Sequence, residues 1–86
     1  MIVHPATMTA NVPARDSRTR YGIVNGDGDQ YYRDIEHVRG DWHTRWTDVA
    51  RMARTWDTED DPHMLAALRR IQRCEDTAAC IVVFHR

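Results

Sequence analysis

The sequence predicts a small α+β fold: an antiparallel or mixed β-sheet, built from an N-terminal hairpin and a C-terminal strand, covered on one face by two helices. Three observations carry this. Tyr21–Val24 and Gln30–Ile35 are β-like and flank a dense turn signal, Asn25-Gly-Asp-Gly-Asp29. Two later stretches repeat their apolar residues at helical spacing. The last, Ala79-Cys-Ile-Val-Val-Phe84, is apolar on both faces, as a strand in the middle of a sheet requires.

Taken in order, Met1–Val3 predicts a short strand, and Pro5 and Pro13 then bracket a polar stretch that cannot be a central strand. Residues 5–19 are therefore read as a flexible arm or an edge segment of a single domain, 1–86. The hairpin follows. Its rival over residues 30–39 is a helix, with Asp29 as N-cap, Tyr31, Ile35 and Val38 on one face, and Gly40 as the stop. The hairpin is preferred. Trp42, Trp46, Val49, Ala53 and Trp56 then recur every three or four residues, which at about 100° per residue makes one stripe of a helix. That predicts a first helix, capped by Asp41 or started later at Thr44 or Thr47, with the three Trp between helix and sheet and Trp42 the one that reaches the surface if the start is late. Asp61-Pro62 reads as N-cap and first residue of a second helix, running to about Cys74. Met64, Ala67, Leu68 and Ile71 form its buried face, and Arg69, Arg70 and Arg73 lie near its C-terminus, where the helix dipole favours cations.

Composition narrows the class. A chain of 86 residues builds one core, and 42% apolar with 29% charged residues is ordinary for a globular protein. The longest apolar run, Ala78–Phe84, is too short to cross a bilayer, and Met1–Pro5 shows no basic or apolar leader, so no membrane association and a cytoplasmic location are expected. Cys74 and Cys80 are too few for a disulfide framework and are expected to be reduced. A net charge of −1 argues against a nucleic-acid binder, which usually carries a basic surplus. All twelve basic residues are Arg, the mark of a GC-rich coding bias.

Few motifs carry chemistry. Asn25, Asp27, Asp29, Tyr32 and Glu36 fall at positions 1, 3, 5, 8 and 12 of an EF-hand-like calcium loop, but position 6 is Gln30 instead of Gly and no helix precedes it. The same residues are what a tight hairpin needs. Cys74, Cys80, His85 and His4 suggest zinc, against which the five-residue gap between the cysteines argues. His37 and His43 beside Asp34, Glu36 and Asp41 resemble acid–base machinery, yet no nucleophile or phosphate-loop motif accompanies them. No cofactor is expected. Arg15, Arg18 and Arg20 in the arm can reach a phosphate backbone, but such an arm is more often only solvated.

The functional expectation follows by elimination. A small, nearly neutral chain without a catalytic signature works most economically by presenting a surface to another macromolecule. The expected function is a non-enzymatic protein-binding module, an inhibitor or regulator of a larger complex, of the kind phages and mobile elements use against bacterial defence, as anti-CRISPR proteins do. Arg51 and Arg54, off the Trp stripe, with the acidic Asp57, Glu59 and Asp60, form its expected partner surface. The first alternative is a DNA-binding regulator using the two Arg-bearing helices, against which the carboxylates of residues 57–61 argue by repelling phosphate. The second is a calcium-binding module.

Overall fold

The computed structural model describes residues 8–11 and 19–85. Five strands form one mixed sheet: β1 (Met8–Asn11), β2 (Thr19–Val24), β3 (Tyr31–Val38), β4 (Asp41–Thr47) and β5 (Cys80–His85), in the order β1-β5-β2-β3-β4. β1 pairs parallel with β5, and every other pairing is antiparallel. β1 thus lies inside the 5–19 segment as an edge strand, while the strand expected at Met1–Val3 falls outside the described residues.

β5 occupies the position its composition predicts. It runs between β1 and β2, with Cys80, Ile81, Val82 and Phe84 all buried. Side chains on its two faces enter two clusters, one on either side of the sheet, where chain length alone predicted a single core. On one face Ile23, Tyr32, Trp56 and Ile81 pack against α1 (Pro62–Cys74), which contributes Met64, Leu68 and Ile71. On the other, Val24, Cys80, Val82 and Phe84 are met by Ala50 and Ala53. Gly22 is required on that second face, where an added Cβ would lie 2.7 Å from the Phe84 ring and 3.0 Å from the Arg54 carbonyl.

α1 forms for the reasons its sequence shows. The Asp61 carboxylate accepts from the backbone N–H of His63 at 2.9 Å and of Met64 at 3.4 Å, and Pro62 takes the first helical position, where an N–H has no intrahelical partner. Among the described residues it is the only α-helix, and it is not long and apolar enough to cross a membrane.

The helix expected over residues 42–56 does not form. Asp41–Thr47 is a strand, and a short 3-10 turn, Ala50–Met52, replaces the rest. A four-residue interval keeps Trp42 and Trp46 on one face of a strand as well as of a helix, so the spacing was degenerate there. What settles the matter is the pairing of β4 with β3 through seven residue pairs, from Tyr31 opposite Thr47 to Val38 opposite Asp41. The helical alternative for residues 30–39 is excluded by the same pairing. One helix therefore covers one face of the sheet, and the connection after β4 crosses to cover the other.

That connection also enters the sheet. β2 and β3 pair only where Val24 meets Tyr31, next to their turn, and then part. The gap takes up residues 54–56: the Arg54 N–H donates to the Tyr32 carbonyl at 2.9 Å, and Tyr21 and Trp56 form an antiparallel bridge. From there β3 and β4 continue as a two-stranded ribbon, exposed from Glu36 to His43.

Candidate functional site

The β3–β4 ribbon ends in a two-residue turn, Arg39-Gly40, with φ of 53° and 84°. Positive φ at both central residues matches the right-handed twist of the flanking strands, so the turn closes the ribbon without splaying it. Val38 pairs with Asp41 and His37 with Trp42 directly below it.

Three features make this tip distinctive. Trp42 is 61% exposed, the most exposed large apolar residue described, and Val38 is 40% exposed beside it. The His37 and Trp42 rings lie 4.6 Å apart on one face, holding the indole in a fixed orientation. Below them the ribbon is braced on both faces. Arg45 meets Asp34 at 3.2 Å and Glu36 at 3.8 Å on one face; on the other Thr44, Arg70 and Glu75 form a hydrogen-bonded cluster that ties β4 to the end of α1. A large apolar side chain is thus presented on a rigid support, the arrangement that interface anchors share.

The surface expected from the sequence is distributed along the connection from β4 to α1. Arg51 is exposed in the 3-10 turn. The Arg54 guanidinium lies 5.5 Å from the centre of the Trp56 ring, an intramolecular cation–π contact. Asp57 is ion-paired with Arg20, which also binds the Thr55 carbonyl and hydroxyl, so this carboxylate fastens the connection to β2. Glu59 has one oxygen shielded from solvent and without a hydrogen bond among the described residues, and Asp60 is exposed before the helix cap. Of these five residues only Asp57 has an ion-pair partner among the described residues.

The remaining candidate chemistries are taken apart by the fold. The Asn25 side-chain oxygen accepts from the backbone N–H of Asp29 at 3.0 Å and of Gln30 at 3.1 Å, while its amide donates to Asp29 at 2.8 Å. The Gly26 N–H in turn donates to the Asp76 carboxylate at 2.8 Å, so the loop is held by its own side chains and by the residues before β5. Glu36, the twelfth position of the calcium reading, sits along extended β3, roughly 3.3 Å further from the loop with each residue. Cys74 is exposed and Cys80 buried, both as free thiols, and His4 lies outside the described residues. Among the described residues no group of three or more His, Cys, Asp or Glu is placed to hold a metal ion. His37 shares a face with Trp42, whereas His43 pairs with Glu36 on the opposite face, so the two histidines do not converge.

The sequence signal for this tip is weak: Arg39-Gly40 lacks the Asn or Asp that usually precedes Gly in a two-residue hairpin turn. The preferred hairpin reading ends at Ile35 and gives Gly40 no role, and only the helical rival over residues 30–39 uses it, as a stop. Trp42, Trp46 and Trp56 also divide differently from expectation: Trp56 is buried, Trp46 is partly buried against the core, and Trp42 is exposed.

Comparison with protein-family models, with curated proteins and with solved structures gives no match to this chain.

Proposed function

We propose that the chain is a small non-enzymatic protein-binding module, an inhibitor or regulator of a larger macromolecular complex, that docks through the tip of its β3–β4 ribbon. The observation that carries this reading is Trp42: an indole 61% exposed on a two-stranded projection, oriented by His37. Exposing a large apolar residue costs solvation, and Trp is enriched among the residues that dominate interfaces. A role against a host defence complex remains the narrower form of the proposal, resting on size and type alone.

The DNA-binding reading draws less support. A helix-turn-helix needs two helices, and the described residues hold one. A β-ribbon also enters a major groove, but the exposed stretch Glu36–His43 carries two carboxylates against one Arg, the wrong balance for phosphate.

The test is affinity capture from host cells with the wild-type chain and with Trp42→Ala. The variant is expected to keep its fold and lose at least about 2 kcal/mol of partner binding. Capture of the same partner at undiminished affinity would remove the ribbon tip from the interface.

A further inference from the structure

We propose that the outer edge of β4 pairs antiparallel with β4 of a second copy of this chain, about a two-fold axis at His43, joining the two sheets into one. β4 is the last strand of the sheet, and among the described residues nothing pairs with its far side. Sheet edges are commonly protected by charged side chains, Pro, bulges or shortness. Asp41–Thr47 has seven residues and no Pro, the irregularity in this ribbon falls between Tyr32 and Asp34, on β3, and its two charged residues, Asp41 and Arg45, are of opposite sign, so they repel a second copy only in a register that sets like against like.

Charge selects the occupant and the register. With His43 opposite His43 of the second copy, Asp41 of each copy comes opposite Arg45 of the other, and the two-fold axis makes the pair twice. Residues 41, 43 and 45 share one face of the strand, so both ion pairs form on that face. Asp41 has no ion-pair partner within a single copy among the described residues. Arg45 is about half-exposed and already meets Asp34 and Glu36, but a guanidinium offers five donors and can take a further carboxylate. Moving the axis to Trp42 sets Arg45 against Arg39; moving it to Thr44 sets Arg45 against His43 and forms neither pair. Edge pairing uses main-chain groups, and on the other face it sets Trp42 of each copy opposite Thr44 of the second.

The experiment is sedimentation equilibrium on the purified chain with no partner present, so its outcome is separate from that of the docking proposal. The wild type is expected to form dimers. Asp41→Arg places Arg against Arg, and Arg45→Asp places Asp against Asp, so either alone raises the dissociation constant about tenfold or more. An equimolar mixture of the two restores complementary pairs and recovers a mixed dimer. A second route leaves these charges intact: in a Cys74→Ser background, His43→Cys sits beside its own copy and oxidises to a disulfide-linked dimer, whereas Asp41→Cys, about 13 Å from its copy, does not. A wild type that stays monomeric to millimolar concentration overturns the proposal. So does a dimer that tolerates Asp41→Arg unchanged, or one that fails to cross-link at position 43.

Discussion

Tyr21, in β2, and Trp56, which belongs to none of the five strands, exchange both of their backbone hydrogen bonds, at 2.9 and 2.8 Å. The bridge closes the opening where β2 and β3 part, and places the Trp56 ring nearly parallel to that of Tyr32, with centroids 6.0 Å apart. One residue thus fills a gap in the hydrogen-bond ladder and a space in the core.

Trp56→Ala is therefore expected to be among the most damaging single changes in this chain. Truncating a buried Trp costs about 3–5 kcal/mol, a large fraction of what a domain of this size holds. Urea denaturation followed by circular dichroism measures it. A loss below about 1 kcal/mol would mean that the ring is not packed as described.

The fold was legible where one pattern excluded its rivals. Ile81, Val82 and Phe84 admitted only a central strand, and Asp61-Pro62 with Met64, Leu68 and Ile71 admitted only a capped amphipathic helix. Residues 42–56 were misread because Trp42 and Trp46 satisfy both periods, while the passage of residues 54–56 between β2 and β3 depends on contacts distant in sequence. Trp42 was the member of the stripe most able to reach the surface, but the cause differs: it is exposed because the strand that carries it outruns the sheet, not because a helix starts late.

Arg39 sits at a φ of 53°, a left-handed conformation that costs a non-glycine residue about 1–2 kcal/mol. Asn tolerates this region and is preferred before Gly in a two-residue hairpin turn. Arg39→Asn should therefore stabilise the ribbon by roughly 0.5–1 kcal/mol. Thermal melts and amide exchange across Glu36–His43 read the effect, and unchanged protection there would contradict it.

Burial pushes the Tyr32 phenol above its ordinary value of 10.0, although the Arg70 and Arg54 guanidinia pull it down; burial and then Asp76 push the Cys80 thiol above 9.0. Both groups ionise at lower pH in the unfolded chain than in the folded one, so the unfolded chain binds fewer protons in that window. Stability is accordingly complete below about pH 9 and falls as pH rises through the unfolded values. Melting temperatures between neutral and strongly alkaline pH should show this decline, and a combined Tyr32→Phe, Cys80→Ala variant should flatten it. A variant profile as steep as the wild type's would assign the decline elsewhere.

The two candidate docking surfaces separate by kinetics. Arg51 and Arg54 are both exposed, and the Arg54 guanidinium over the Trp56 ring is a contact of about 0.5–1 kcal/mol, so reversing both to Glu should cost little stability. Charges at the edge of an interface act mainly by steering the encounter, so the reversal is expected to slow partner association and leave dissociation nearly unchanged. Trp42→Ala should do the opposite, since a truncated anchor shortens the lifetime of a complex more than it slows its formation. Surface-plasmon measurements on the captured partner distinguish them directly. If the reversal accelerated dissociation and Trp42→Ala did not, the connection from β4 to α1, with Arg51 and Arg54, would be the docking surface and the ribbon tip would not.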